Sequence, residues 1–443
     1  MIPVALPTGE ATAEACAAFE LEMEREFFLR KKRHYYLTLA VIATTLFSWF
    51  NCNSYLIILL VICRLLDGGP RAAIKTAFTN KYFLACISVF LVEFIGLFYT
   101  HHFFTGWKHV ESKATLVAIP FILCAGPFTD QAGYRRLQFA YCYLLAGICV
   151  YCLAMACVEF HWQHSFSVFF YHSLTSPISV NAVFFSAYVI IAILFLLYSR
   201  DAPGWLRIGL IVFFTGIMIL LSSRLLVLLL IAIFIGWLAG QFRREMKVRK
   251  IAGIGLLIVI GASLLAFTDN PFSRRCRDLH PELLVQRTSP PEAGPLARRR
   301  VPEAAHSRFD GLSLRWLMWR YAFEILQEHQ AWVFGVSAGD SQDLLDQKYL
   351  DAGMSQGYLG YNFHNEYIEV LVRSGIFGAG VFMICVVWLI GAARSAGTPT
   401  AGFTVALVLL LFLTESALEM QHTLFLFAFF PILTSPPRPS SDR

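Results

Sequence analysis

The stretch HNEYIEVLVRSGIFGAGVFMICVVWLI, residues 364–390, places a histidine and an asparagine directly before a long, predominantly apolar run. A run of this length can cross a bilayer as a helix, because about 20 residues suffice. The rest of the chain has the same character: 57% of its 443 residues are hydrophobic and 15% are charged. Soluble domains are nearer a quarter charged, so much of this apolar surface has to face lipid. The sequence therefore predicts an all-α, polytopic integral membrane protein.

Apolar runs predict about twelve transmembrane helices. They cover residues 35–50, 54–66, 82–99, 114–128, 137–158, 178–198, 205–221, 225–240, 251–267, 366–390, 402–418 and 423–434. Helices 1–9 thus fall within 35–267 and helices 10–12 within 366–435. Residues 1–34 are expected to be a cytoplasmic segment without a cleavable signal, because an acidic stretch precedes RKKR at 30–33. Residues 436–443 are expected to be a cytoplasmic tail.

Lysine and arginine residues fall in alternate loops of this predicted arrangement. They are Arg64, Arg71, Lys75 and Lys81; Arg135 and Arg136; Arg200 and Arg207; those within 243–250; and Arg394. The positive-inside rule places these loops and both termini in the cytoplasm. Residues 268–365 then form one large periplasmic loop. Its Pro- and Arg-rich part, 281–308, lacks apolar periodicity, whereas residues 313–328 predict an amphipathic interfacial helix capped by Ser313.

The polar residues at the start of the opening stretch suggest a catalytic group. Asn362 is a suitable N-cap, which would put His364 in the first turn of the helix. The positive end of a helix favours a neutral imidazole, and a neutral imidazole can act as a general base. On local sequence alone, a histidine that only hydrogen-bonds at the membrane surface is the favoured interpretation.

Two arginines are candidates for binding an anion. Arg224 lies in LLSSRLLVLLL, residues 220–230, where apolar helix flanks it on both sides and a helix N-terminus follows. Arg315 lies four residues before Trp319 and shares a helix face with it, with Arg320 next in sequence. The alternatives are an anchor to lipid phosphate for Arg224 and an ordinary interfacial helix for the second group.

Other polar residues carry weaker signals. Glu93 lies within a predicted span, and Glu415 and Glu419 precede the last one, where they would orient an arginine or a hydroxyl or form packing salt bridges. The chain has no CxxC pair and no HExxH motif, so the sequence predicts neither a metal site nor a disulfide framework.

Several stretches together resemble the O-antigen ligase family. They are LLSSRLLVLLL, LRWLMWRYAFEIL followed by VFGVSAGD, HNEYIEVLVRSGIFG, LTESALEMQHTLFLFAFFPIL at 413–433 and, more weakly, SKATLVAIPFIL at 112–123. The resemblance runs over residues 80–435 or so and rests on the order of these stretches. It implies a GT-C-like glycosyltransferase of the bacterial inner membrane, with its active site facing the periplasm.

The resemblance also implies a reaction. A glycan passes from undecaprenyl diphosphate to a sugar hydroxyl of the lipid A–core oligosaccharide, with inversion and without metal or other cofactor. Arg224 and Arg315 match the family's diphosphate-binding arginines, and His364 matches its essential histidine. Asn365, Trp319, Arg320 and Glu415 are further candidates for the site. The expected partners are the lipid-linked O-antigen, the lipid A–core and membrane lipids, with no nucleic acid, and the expected state is a monomer.

Three rival functions stay open at this point. An O-antigen polymerase or a protein O-oligosaccharyltransferase of the same superfamily would share the donor and differ in the acceptor. A transporter of an anionic lipid would use the arginines without any chemistry, and paired, broken helices would favour it.

Overall fold

A computed structural model describes residues 9–124, 131–198, 203–242 and 311–434. Every regular element within these ranges is a helix, which confirms the all-α prediction for this part of the chain. The α-helices are α1 Gly9–Leu46, α2 Phe50–Gly68, α3 Pro70–Thr79, α4 Lys81–Gly96, α5 Phe103–Lys113, α6 Thr115–Cys124, α7 Gln131–Gln163, α8 His172–Thr175, α9 Ala182–Tyr198, α10 Gly204–Leu221, α11 Arg224–Phe242, α12 Gly311–Glu328, α13 Ser341–Asp351, α14 Glu366–Ala396, α15 Pro399–Thr414 and α16 Gln421–Thr434. The span predicted at 251–267, the insert 281–308 and the tail 436–443 lie outside the described residues.

By length and composition, three described helices can cross a membrane: Ala132–Gln163, Gly204–Leu221 and Glu366–Ala396. Two bent pairs, α3 with α4 and α8 with α9, raise the number to five if each counts as one span. The apolar segments Arg224–Gly240, Pro399–Thr414 and Gln421–Thr434 are shorter. The described part of the chain is therefore all-helical and has the apolar helices of a membrane protein, and the count of twelve spans stays a prediction. Helix α1 also runs through residue 34, where the sequence analysis ended a separate segment, because neither glycine nor proline interrupts residues 10–46.

Helices α9 and α16 form the interior of the helical body. All residues of α9 except its second and last are buried, and in α16 every residue from His422 to Thr434 is buried. Such a helix is apolar on all sides because protein surrounds it. Aromatic rings join the two, since the ring of Phe430 lies 5.8 Å from that of Tyr188 and 5.1 Å from that of Tyr141 on α7. Helices α14 and α16 begin, and α15 ends, at one end of this helical body. We call this end the polar end.

A chain crossing interrupts α14 near its start. Gly375 has φ 63° and ψ −166°, so the helix is broken there. The segment 332–337 passes through the break, and the N–H of Val336 donates to the carbonyl of Val372 at 2.8 Å. A side chain at Gly335 would overlap the carbonyl of Arg373, so only glycine permits this approach. Hydrogen bonds with the segment 332–337 satisfy backbone groups that lose their helical partners at the break, and they join this segment to α14.

The residues between α12 and α14 form a layer over the polar end with a small core of its own. Met318 and Leu326 of α12 pack with Leu345 and Tyr349 of α13 and with Phe363. The helix expected over 313–328 lies at Gly311–Glu328, so Ser313 belongs to its first turn and the prediction that it caps the helix is wrong. One face of α12 is therefore buried against protein.

Candidate active site

The backbone at His364 has a left-handed conformation, with φ 48°, just before α14 begins. The N–H of His364 donates to Asn362 Oδ1 at 3.1 Å, which closes a short turn. The N-cap of α14 is Asn365, whose Oδ1 accepts from the N–H of Ile368 at 3.2 Å. The prediction that Asn362 caps the helix and that His364 lies in the first turn is therefore wrong. Both asparagines suit a cap, but the turn closed by Asn362 ends before the helical backbone starts.

The carboxylate of Glu415 joins this histidine to an arginine. Its Oε2 lies 2.9 Å from His364 Nδ1, and its Oε1 accepts from Arg315 Nη2 at 3.0 Å. The side chains of His364 and Arg315 are 31% and 30% exposed, whereas that of Glu415 is only 11% exposed. Two partly exposed side chains thus contact one largely buried carboxylate. We call Arg315, Glu415 and His364 the polar triad.

The contact with Glu415 determines which nitrogen of the His364 ring is available. An ionised carboxylate only accepts hydrogen bonds, so Nδ1 carries the hydrogen and a neutral ring presents Nε2 without one. That nitrogen can take a proton from a hydroxyl, and the carboxylate then stabilises the resulting imidazolium. Such an arrangement would suit a general base, because the ring is held in one orientation and 31% of the side chain is exposed.

Hydrogen bonds hold the backbone on both sides of His364. Asn365 Nδ2 donates to the carbonyl of Leu413 at 3.1 Å, which ties the start of α14 to the end of α15. Trp319 Nε1 donates to the carbonyl of Phe363 at 2.9 Å, which ties α12 to the same segment. The candidates Asn365 and Trp319 therefore lie beside the triad and position its backbone. Arg315 and Trp319 do share one face of α12, as their spacing indicates.

Arg320 is not brought into the triad. Its side chain is 61% exposed, and its Nε donates to Glu324 Oε1 at 2.8 Å. Five residues after Arg315, it lies about 140° further round the helix. This helical geometry alone separates the two arginines, and a role for Arg320 in the site stays a prediction.

Tyr361 is a neighbour of the site that the sequence analysis missed. Its ring meets the His364 imidazole edge-on, with 6.0 Å between the ring centres, and 44% of the residue is exposed. Its backbone is fixed, because its carbonyl accepts from the hydroxyl of the fully buried Tyr349 at 3.1 Å. An exposed aromatic ring on a fixed backbone thus flanks the imidazole. Its only signal in the sequence is its place three residues before His364.

Arg224 is the first residue of α11 and lies at the polar end of the body. Four residues before it, the carbonyl of Leu220 accepts from the N–H of Tyr171 at 3.0 Å. The segment after Tyr171 reaches the start of α16 through Ser48, which bonds both Ile178 and His422. Among the residues that the structure describes, none forms a hydrogen bond or ion pair with Arg224. The structure therefore places Arg224 at the polar end and does not join it to the triad.

Five charged side chains lie buried at the same end, and we call them the buried ion cluster. Lys113 Nζ lies 2.7 Å from Glu93 Oε1 and 2.8 Å from Glu419 Oε1. Arg373 bonds the same Glu419 at 2.6 Å and Glu369 Oε1 at 2.9 Å. None of these side chains is more than 8% exposed. The cluster joins α4, α5 and α14 to the turn between α15 and α16.

Opposite charges within the cluster stabilise one another. Burial by itself would lower the pKa of Lys113, but the carboxylates of Glu419 and Glu93 raise this pKa above its ordinary value. Burial would likewise raise the pKa of Glu419, yet Arg373 and Lys113 hold it well below its usual range. Glu93 and Glu419 thus form packing salt bridges, as one of the two sequence interpretations held. Glu369 and Arg373 were missed, although charges at helical spacing inside an apolar run are a recognised signal.

Asp340, the last residue of the VFGVSAGD stretch, anchors the loop that precedes α5. It accepts from the backbone N–H groups of His101 and His102, both at 3.0 Å, and from the hydroxyl of Thr100 at 3.2 Å. Burial opposes ionisation here, but these hydrogen bonds lower the pKa of Asp340. In the described part of the chain, no group of three or more His, Cys, Asp or Glu side chains has the arrangement of a metal site.

A comparison with known families adds an independent finding. Residues 208–383 match the family model described as O-antigen ligase. The matched range includes Arg224, Arg315 and His364, and ends before Glu415. No curated protein matches the chain.

Proposed function

Since the match over residues 208–383 supports the assignment of this chain to the O-antigen ligase family, we propose that it transfers a glycan from undecaprenyl diphosphate to a sugar hydroxyl of the lipid A–core oligosaccharide. The reaction takes place at the periplasmic face of the bacterial inner membrane. His364 acts as the general base, and Arg315 with Arg224 binds the diphosphate. The observation that carries this proposal is the bridge that Glu415 makes between His364 and Arg315.

In the proposed step, the acceptor hydroxyl gives its proton to His364 Nε2 as its oxygen attacks the anomeric carbon. The bond from that carbon to the diphosphate oxygen breaks on the opposite side, so the configuration inverts and undecaprenyl diphosphate leaves with the bonding electron pair. An alcohol has a pKa far above 7, so it needs a base within hydrogen-bond reach. Glu415 stabilises the imidazolium that results.

Arg315 suits the diphosphate because most of its donors are not used by the protein. One nitrogen, Nη2, donates to Glu415. The Arg315 side chain is 30% exposed, so part of its guanidinium can contact a substrate. A guanidinium binds phosphate oxygens through two parallel hydrogen bonds, and a shielded site strengthens them. Arg224 opens α11, whose N–H groups favour a second anionic oxygen.

In this proposal, the group that serves the acceptor and the group that serves the donor both contact the carboxylate of Glu415. A base for the acceptor and a cation for the leaving group lie on its two oxygens, so acceptor and donor meet in front of it. The Tyr361 ring beside the imidazole then supports the acceptor sugar, because an aromatic face packs against the apolar face of a pyranose. A transporter of anionic lipids would use the arginines but would have no use for an oriented histidine.

The test is transfer by the purified protein. The protein is reconstituted in vesicles with a glycan on undecaprenyl diphosphate and with rough lipopolysaccharide, and the products are separated by gel electrophoresis. The expected product is lipopolysaccharide that carries the glycan, with none formed on lipid A that lacks core sugars. A longer lipid-linked glycan made from donor alone would identify a polymerase instead, and vesicles that only move the donor across the bilayer would identify a transporter.

A further inference from the structure

The segments that carry His364 and Glu415 meet at one buried carboxylate, that of Glu369. Its Oε2 accepts from the hydroxyl of Ser416 at 2.8 Å and from the N–H of Phe363 at 3.4 Å. Phe363 directly precedes His364 in the chain, and Ser416 directly follows Glu415. A single oxygen atom of Glu369 therefore contacts both the residue before His364 and the residue after Glu415.

The other oxygen of Glu369 is fixed from below. It lies 2.9 Å from Arg373 Nε, and both side chains are 2% exposed. Arg373 is held in turn by Glu419 at 2.6 Å and by Ser341, whose Oγ accepts from its Nε at 3.2 Å. The Glu369 carboxylate cannot rotate without breaking a buried ion pair, and breaking such a pair is strongly unfavourable. The position of the Glu369 carboxylate is thus set by its ion pair with Arg373.

We propose that Glu369 is a positioning residue that sets the distance between His364 and Glu415, so that its ion pair with Arg373 governs the geometry of the base. The proposal rests on the proposed function in that it takes His364 as the base. A displacement of about 1 Å in a reacting group can lower a rate by about 10²-fold. The 2.9 Å contact between His364 and Glu415 is therefore sensitive to small shifts of either segment.

Ser416 offers a cleaner test than Glu369 itself. Replacing Glu369 removes one of the two carboxylates that hold the buried Arg373, so such a variant can lose transfer through misfolding alone. Ser416→Ala removes only the hydroxyl that ties the segment of Glu415 to Glu369. The matched control is Ser341→Ala, because Ser341 is equally buried and bonds Arg373, which keeps both of its carboxylate partners in this variant.

The measurement is single-turnover transfer, beside the stoichiometry with which undecaprenyl diphosphate binds. We expect Ser416→Ala to lower the rate about tenfold while one donor still binds per protein, and Ser341→Ala to stay within about twofold of wild type. Ser416→Thr, which keeps the hydroxyl, restores most of the rate. In a Glu415→Gln background, Ser416→Ala lowers the rate by less than about twofold, because residues that act through one another are not additive.

A second readout does not depend on the reaction. Cysteines at positions 364 and 415, in a chain whose exposed Cys52 and Cys157 are replaced by serine, are joined by a short thiol-specific crosslinker. Crosslinking is expected to slow about tenfold with Ser416→Ala and to be unchanged with Ser341→Ala. Equal crosslinking in both backgrounds overturns the proposal even if the wild-type protein transfers no glycan. A wild type without transfer, together with slowed crosslinking, overturns the proposed function and leaves the positioning role standing.

Discussion

Two groups of charged side chains lie at the polar end, and they differ in how their charges are used. In the buried ion cluster, Lys113 and Arg373 are each held by two carboxylates and have almost no exposed surface. In the polar triad, Arg315 and His364 share a single carboxylate, and about a third of each side chain is exposed. Charges buried among opposite charges hold structure together, whereas exposed charges are available to a substrate. The following experiments test this difference between the polar triad and the buried ion cluster.

The largest effect on rate is expected for His364. His364→Ala removes the group that takes the proton of the acceptor, so transfer should fall by roughly 10²–10⁴-fold. The affinity for undecaprenyl diphosphate should stay within about threefold, because the base acts on the acceptor, and the unfolding midpoint should change little. Transfer rate and equilibrium donor binding are measured on the same preparation. A variant that transfers at near the wild-type rate would return His364 to the role of a surface residue beside the helix cap.

Arg315 should show the next effect, together with a loss of donor affinity. Arg315→Ala removes a cation from the leaving group and should lower transfer by about 10²–10³-fold. Arg315→Lys should recover only part of this, because a point charge cannot make two parallel hydrogen bonds. The matched control is Arg320→Ala, five residues away on the same helix and paired with Glu324. Equal losses at both positions would show that general positive charge, and no defined site, binds the donor.

The buried ion cluster predicts how stability depends on pH. The pKa of Glu419 in the folded protein is depressed, so its contribution to stability is complete above the unfolded pKa of about 4.3 and is lost as the pH falls through the folded value. The depressed pKa of Asp340 adds a loss in the same direction. The unfolding midpoint in detergent should therefore fall by several degrees as the pH is lowered from about 5 into stronger acid.

Glu419→Gln is the control for this pH dependence. It should lower the midpoint at neutral pH and flatten the acid loss. An acid limb of the same depth in this variant would mean that carboxylates outside the cluster cause it.

The smallest effect is expected for Tyr361. Tyr361→Ala removes the ring beside the imidazole and should raise the KM for rough lipopolysaccharide about tenfold, while the KM for the donor stays unchanged. Tyr361→Phe keeps the ring and should behave as wild type. Trp316→Ala, a change at another exposed aromatic residue on α12, is the control for general loss of surface contacts. An equal rise in KM for both alanine variants would contradict a specific place for the acceptor sugar.

The sequence predicted much of the fold because membrane helices are local features. Apolar length and the positions of lysine and arginine identify them, and most described helices lie where apolar runs were found. The resemblance to O-antigen ligases is confirmed by the family match, and it was carried by the order of short stretches. The bends at Gly375 and between α3 and α4 were not predicted, because they depend on the segments that pack against them.

The site was predictable in its parts and not in its connections. His364, Arg315 and Glu415 were all candidates, but 51 residues separate Glu415 from His364 and 100 separate it from Arg315. No local pattern indicates pairs so far apart. The choice between Asn362 and Asn365 as helix cap depends on the left-handed backbone of His364, which the surrounding contacts impose. The charges of Glu369 and Arg373 were visible within the apolar run, and their spacing of four residues could have shown them as a buried pair.

The most direct test of the contrast compares Glu415→Gln with Lys113→Met. Rate per folded molecule and unfolding midpoint are measured for both variants under one condition. Glu415→Gln should lower the rate by about 100-fold or more, because the imidazole loses its orienting carboxylate, and should leave the midpoint almost unchanged. Lys113→Met should do the reverse: it leaves the buried carboxylate of Glu93 without its ion-pair partner, costs about 3–5 kcal/mol of stability, and changes the rate per folded molecule by less than about threefold. If Glu415→Gln transfers like wild type, or is destabilised as much as Lys113→Met, then the polar triad is a structural salt bridge and the account of the active site is wrong.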